Sequence, residues 1–533
     1  MTATATVAAP APGATRRRPA RPRLLFLLSA VVAVVLALPL AFLIIEAVQY
    51  ANQSHGLETL RGLVLRNLTA ELLWNTLVLT VAVTLGCAVI GTLAAWVVER
   101  TDLPARRVWA VLFVLPVAVP DFAVAFGWHS VFPAIGGFSG SVLIMTLAVY
   151  PLVYLPVAAS LRNADPAQEE VARSLGTGPV ATFWRVTVGE ARLAILGGCL
   201  LVALVLLAEY GAFEILGYRT FTTEIFTEFN VGYNTPATCA LSLVLVSLAL
   251  VVVVGERFAQ GRGRVSRVGP MAARPATRHR LGPATAPVLA GCALLVGLAL
   301  GVPAAAVVHW LVLGGAAVWS WAVASAAFHT AAYSAGAGLL ATAMALPVAL
   351  LSVRHPGRAQ MVLERSTYLV LATPGVVIAL ALTYFSERDL ASFGYLTAWM
   401  LIFAYAVMFF PLALVAVRTS LAQAPVALEE VGRSLGRSRL EVLGRVTLPL
   451  VGPGLAAAFS LVFLEAVTEL TATLVLVPNG SQTLTTGFWM AQTNAQYPEA
   501  APYVAVMVAI AAVPSYVLGR WFDRLPQREP VAA

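Results

Sequence analysis

Residues 150–176 read YPLVYLPVAASLRNADPAQEEVARSLG, and residues 410–436 read FPLALVAVRTSLAQAPVALEEVGRSLG. The two stretches align without a gap at an offset of 260 residues, pairing Pro151 with Pro411, Ser160 with Ser420, Glu170 with Glu430, Arg173 with Arg433 and Gly176 with Gly436. The match continues through Arg185 and Arg445 to Glu209 and Glu469. Upstream, Thr76 answers Thr330 and Pro120 answers Pro374 at an offset of 254. The chain is therefore one unit written twice in tandem.

What surrounds the repeated stretch is apolar. Of 533 residues, 59% are hydrophobic and 11% charged, against about 45–50% and about 25% in soluble domains. Runs of about 20 apolar residues, the length that crosses a hydrocarbon core of about 30 Å, recur along the sequence. Twelve spans are expected, at 24–49, 75–97, 108–132, 141–161, 193–217, 237–254, 287–313, 328–352, 366–385, 396–417, 451–477 and 501–519. The expected fold is an all-α membrane protein of two tandem six-helix repeats. Six is even, so the second repeat enters the membrane in the same orientation as the first, and a route between the halves follows. The expected organisation is a disordered N-terminus at 1–23, a first domain at 24–255, a linker at 256–286, a second domain at 287–520 and a tail at 521–533. The first apolar run exceeds the 7–15 residues of a signal-peptide core and reads as an uncleaved span.

All 34 basic residues are Arg, and the net charge is +8. With the N-terminus in the cytoplasm, every arginine falls on the inner side except Arg61, Arg66, Arg219 and Arg388. That asymmetry satisfies the positive-inside rule, places both termini in the cytoplasm, and accounts for the basic balance without nucleic acid. The linker, rich in Arg, Gly and Pro, reads as irregular; its charges could also meet lipid headgroups, but topology accounts for them. Cys87, Cys199, Cys239 and Cys292 lie within expected spans without CxxC spacing, so they read as small apolar residues rather than disulfide or zinc partners. His55, His129, His279, His309, His329 and His355 are scattered and show no metal-ligand spacing.

The repeated stretch holds each repeat's largest cytoplasmic loop, between its fourth and fifth spans. It reads as a short helix with a hard stop: Asp165 as cap, Pro166 at the first helical position, Glu169 and Glu170 at the positive dipole end, and Gly176 in the left-handed terminus. The second copy keeps Pro425, Glu429, Glu430 and Gly436 but has Ala424 in place of the cap. A stub outside the bilayer followed by a second amphipathic stretch spans nothing; it is shaped to dock.

These residues resemble the coupling-helix signature, the EAA motif, of binding-protein-dependent ABC importer permeases. In the second repeat the signature is Glu430, Val431, Gly432, Gly436, Val446, Leu448 and Pro449; in the first it is Glu170, Val171, Ala172, Gly176 and Val186, with Val188 and Gly189 in place of Leu-Pro. The resemblance covers roughly residues 24–520. It implies a type I, MetI-like permease in the bacterial inner membrane, whose coupling residues Glu170, Ala172, Arg173, Gly176, Glu430, Gly432, Arg433 and Gly436 dock into two copies of a separate ABC ATPase subunit. Helix-in-groove docking is an established recognition mode. A P-loop requires lysine and this chain has none, so the ATP is used by the partner and the chain itself binds no cofactor. An extracytoplasmic binding protein would deliver the substrate. The chain is not expected to be an enzyme, since neither HExxH nor a paired His cluster occurs. A secondary transporter would share repeats and intramembrane acids but has no use for two matched docking helices.

Two further segments bear on substrate. Residues 207–229, LAEYGAFEILGYRTFTTEIFTEF, and residues 465–490, EAVTELTATLVLVPNGSQTLTTGFWM, look like those of iron(III) permeases. Fused thiamine permeases share the layout, and phosphonate and polyamine permeases the coupling motif. Glu209, Glu214, Glu465 and Glu469 fall in or at the ends of apolar spans, where an ionised carboxylate costs about 2.5–3.5 kcal/mol and tends to face a cavity or partner. Glu465 and Glu469 share a helix face. These acids could line a cation route, since hard cations prefer oxygen; the reading favoured by the residues alone is that they bond neighbouring helices and stiffen a gate. Asp121 after Pro120, and Gly375 after Pro374, suggest broken helices bordering the pathway.

Overall fold

The computed structural model describes residues 23–52, 56–163, 167–232, 235–260, 278–355, 357, 370, 373–389 and 396–524. Asp165, Pro166, most of the linker and both extreme termini lie outside the described residues, as do the side chains of Glu170 and Arg173. Apart from one isolated bridge between Thr101 and His279, every regular element among the described residues is helical.

Among the described residues, eight helices are long and apolar enough to cross a membrane: Arg23–Ala51, Asn67–Arg100, Gly137–Arg162, Phe183–Ala208, Thr235–Glu256, Gly282–Val318, Trp321–Arg354 and Arg439–Thr468. Two bent pairs occupy the expected third and tenth positions, Arg106–Ala118 with Asp121–Val131 at 91° and Ala398–Met408 with Phe410–Gln423 at 56°. Two shorter apolar helices, Gly375–Glu387 and Tyr497–Ala512, stand at the ninth and twelfth. In chain order these are spans 1 to 12. Many carry apolar side chains on their outer surfaces, such as Val34, Leu85, Val312 and Leu339, which is tolerable only where the solvent is hydrocarbon.

Spans 5 and 11 depart from expectation. Both were expected to run on, to 217 and 477, yet they stop at Ala208 and Thr468, where Glu209 and Glu469 turn extended, with ψ of 133° and 119°. The cause is local. Each glutamate turns its carboxylate forward to accept the N–H three residues on, Ala212 at 2.7 Å and Ala472 at 3.0 Å, starting a new short helix instead of prolonging the old one.

The halves are interwoven. Span 1 packs on spans 8 and 9 of the second half, and span 7 packs on span 3 of the first. The two apolar cores accordingly each draw on both halves: one joins Phe122, Phe126 and Tyr150 to Cys292 and Phe488, the other joins Leu36 and Leu245 to Leu401 and Phe410. The crossing of spans 3 and 7 depends on Gly127, where a Cβ would sit 2.6 Å from Pro303 Cα, and on Trp310 donating to Ser130 Oγ at 3.0 Å. Close backbone approach at glycine is the usual contact between helices in lipid. Gly127→Val is expected to cost about 1–3 kcal/mol by overpacking. The melting temperature of the detergent-solubilised chain should fall by several degrees; an unchanged melting curve would show that the spans can slide apart freely.

Candidate functional site

Two structures built from the duplicated segments face each other across the length of the spans. At one end are the loop helices Ala167–Ser174 and Val426–Ser434. Both end at a left-handed glycine, Gly176 with φ of 82° and Gly436 with φ of 81°, so that Thr177 N–H bonds back to Ala172 O and Arg437 N–H to Gly432 O. Gly432 is buried, and a Cβ there would press on Val442 at 3.1 Å and approach Val446 at 3.8 Å, which explains the requirement for a small residue. Around that seam the second helix exposes Val426, Leu428, Val431 and Leu435, with Glu430 and Arg433 also at the surface; the first exposes Val171 and Leu175. The replacement of Leu448-Pro449 by Val188-Gly189 leaves the backbone path alone: five-residue π-helical turns, Phe183–Thr187 and Leu443–Thr447, precede both pairs.

The glutamate before each signature glutamate points inward. Glu169 lies 3.2 Å from Arg100 Nε in a buried ion pair, and accepts from Thr187 Oγ1 at 3.1 Å. Glu429 accepts from Arg354 Nε at 3.1 Å and Nη2 at 2.9 Å, while Nη2 also donates to Ala424 O at 3.1 Å. Arg354 thereby fastens the start of the second loop helix, where the residue expected to cap is only alanine. Next to it, burial and then the nearby Arg439 and Arg433 hold the His355 imidazole below its ordinary range. Arg100 and Arg354 close spans 2 and 8. They were not singled out from the sequence, although the 254-residue offset that pairs Thr76 with Thr330 also pairs them.

Where the fifth and eleventh spans end lies the second structure. Glu209 and Glu469 break their helices, and the breaks meet: a Cβ on Gly211 would lie 2.5 Å from Leu470 Cδ2 and 2.9 Å from Phe122 Cβ. Glu209 is within electrostatic reach of Asp121 and Glu469, and Glu465 of Glu469 and Asp121, so four carboxylates from both halves share one interior region. All four are half-buried. Glu209 and Glu469 are committed to capping, whereas the carboxylates of Asp121 and Glu465 make no hydrogen bond among the described residues. The set is asymmetric: Asp121 faces Gly375 in the repeat register, and Glu465 faces Val205. Glu214 is exposed and stands apart. Among the described residues no three His, Cys, Asp or Glu side chains converge as a metal site, and the four cysteines are free.

Beyond each break the chain turns into a threonine-capped helix, Phe221–Asn230 or Leu484–Thr493. Thr220 with Thr223, and Thr483 with Thr486, form reciprocal capping boxes. Phe221 N–H donates to Thr76 Oγ1 at 3.3 Å and Leu484 N–H to Thr330 Oγ1 at 2.8 Å, tying each cap to span 2 or span 8. Thr222 Oγ1 donates to Glu209 O, fixing the first break from its far side.

Two six-span halves, a broken-helix constriction between them and a matched pair of loop helices at one end of the spans define a membrane permease. The sequence matches the family described as "Binding-protein-dependent transport system inner membrane component" over residues 87–261 and 338–529, once per half. The chain belongs to that family: it is a multi-pass inner membrane permease subunit of a binding-protein-dependent importer. It is a transport subunit and not an enzyme, and the ATPase of such systems is a separate chain. It is 36% identical over 509 residues to the Fe(3+)-transport system permease protein FbpB 2 of Haemophilus influenzae, covering 95% of this chain and 99% of the relative. Shorter matches include the molybdate/tungstate permease WtpB of Pyrococcus furiosus, 25% identical over 40% of this chain and 88% of the relative. The sulfate permease CysW of Synechocystis is 29% identical over 37% and 78%. The two stretches matched to the family leave out spans 1 and 7, which pack against the opposite half.

Proposed function

We infer that this chain is the membrane path through which an ATP-driven importer moves iron(III) handed over by an extracytoplasmic binding protein. The observation that carries the reading is the match to the Haemophilus influenzae Fe(3+) permease across both halves at full length. The oxyanion permeases match less than half of the chain at lower identity. A constriction bearing four carboxylates suits a hard cation, which prefers oxygen, and repels sulfate or molybdate. In this reading Asp121, Glu209, Glu465 and Glu469 border the pathway. Glu170, Ala172, Arg173, Gly176, Glu430, Gly432, Arg433 and Gly436 form the two docking helices, one for each of two ATPase copies. Both termini and the docking helices face the cytoplasm, where the arginines concentrate. ATP is bound by the partner subunits and no cofactor by this chain.

The test is accumulation of radioactive iron(III) by cells expressing the chain with its cognate ATPase and binding protein, against a strain lacking only this permease. Permease-dependent, ATP-dependent accumulation is expected. No difference, with the complex shown to be assembled, would overturn the iron assignment.

A further inference from the structure

The docking reading leaves open how a displacement at the loop helices reaches a constriction near the other end of the spans. The bonds form a continuous line in the first half, and in the second they run from the loop helix as far as the capped helix. Glu169, buried on the first loop helix, is paired with Arg100, the last residue of span 2. Near the opposite end of the same helix, Thr76 holds the N–H of Phe221, whose neighbour Thr222 holds the carbonyl of Glu209. In the second half Glu429 is paired with Arg354 at the end of span 8, and Thr330 of that span holds the N–H of Leu484. Arg100 and Arg354, and Thr76 and Thr330, stand in the same repeat register. From the threonine to the arginine is 24 residues of one helix, about 36 Å at 1.5 Å per residue.

We propose that spans 2 and 8 are struts that carry motion between the loop helices and the broken-helix constriction, with Arg100–Glu169 and Arg354–Glu429 as positioning ion pairs and Thr76 and Thr330 as the far anchors. A buried charge that loses its partner is left uncompensated, so the ion pair holds the loop helix to the strut through a displacement rather than releasing it. The threonine end is equally specific, because it holds the first backbone N–H of a helix whose capping box serves the N–H of the cap residue and of the third residue but not this one. The struts differ in stiffness: span 2 contains no proline, while Pro347 lies inside span 8. This proposal rests on the loop helices docking the ATPase, and it is separable from the identity of the substrate. A line of bonds is a route for coupling only if both ends bias the same change.

The experiment uses the complete transporter, with ATPase and binding protein, in lipid nanodiscs. It measures three quantities: co-purified ATPase, basal phosphate release from ATP, and stimulation of that release by the binding protein. Arg354→Glu and Glu429→Arg, each alone, are expected to keep the ATPase bound and lower stimulation at least tenfold, and the double exchange to restore most of it. Thr76→Val with Thr330→Val, remote from the ATPase, is expected to lower stimulation severalfold at unchanged ATPase binding and basal rate. If the charge variants fail to insert, the threonine pair decides alone. Unchanged stimulation in the threonine pair, or no recovery in an inserted double exchange, overturns the strut. Failure of the unaltered chain to retain the ATPase would instead remove the docking reading beneath it.

Discussion

A chain carrying Glu170→Arg and Glu430→Arg should insert and fold as before yet support less than about one-hundredth of normal uptake. Reversing one charge in a docked contact costs about 2–5 kcal/mol, and each 1.4 kcal/mol is about tenfold in affinity. The expectation rests on a division of labour that the second half displays. Glu429 is spent inward on Arg354, while Glu430, one position further round the helix, is at the surface beside Val426, Leu428, Val431 and Leu435. A residue turned away from the fold can be reversed without disturbing it. Membrane content of the variant, ATPase retained on purification and uptake are the three measurements. Normal membrane content with lost ATPase is the expected result; retained uptake would contradict the docking role.

The adjacent glutamate is the control. Glu429→Gln keeps an acceptor for Arg354 but removes its counter-charge, leaving a guanidinium in a site that water reaches poorly. The two substitutions, one residue apart, therefore test different things, partner binding at Glu430 and internal fastening at Glu429.

Much of this arrangement is readable from a duplicated segment because duplication ties residue type to place. A glycine ten residues before Val186 and Val446 predicts a helix end, and both Gly176 and Gly436 take the left-handed conformation with open space around them. Hydropathy, by contrast, measures only what a residue is worth in lipid. It runs through Glu209 and Glu469 because the residues beyond them are as apolar as those before, and the turn is made by a side chain reaching three residues forward. Nor does hydropathy state which helix a span will touch. The crossing of span 7 onto span 3 is specified by surface shape, in the gap at Gly127 that admits Pro303. The two strut arginines were hidden for a related reason: at the end of a span, Arg is what topology alone predicts, and what sets Arg100 and Arg354 apart is a loop-helix carboxylate about 70 residues further on.

Removing the charge of the two uncapped acids, Asp121→Asn with Glu465→Gln, should reduce iron(III) uptake at least tenfold and leave binding-protein-stimulated ATP hydrolysis near normal. The four carboxylates divide by what they already hold. Glu209 and Glu469 accept from Ala212 and Ala472 and keep their helices broken, so an amide with its carbonyl in the same place can still cap. Glu209→Gln with Glu469→Gln is therefore expected to retain the constriction and much of the transport. Asp121 and Glu465 cap nothing. Their carboxylates stand half-buried among other acids, one supplied by each half and neither repeated in the other, where a carboxylate is costly unless a cation or water is there to meet it. A passing hard cation meets that need and an amide serves it poorly. Equal iron uptake by the Asp121/Glu465 variant and the unaltered chain, at equal amounts in the membrane, would leave all four acids as parts of the gate and none as lining of the path.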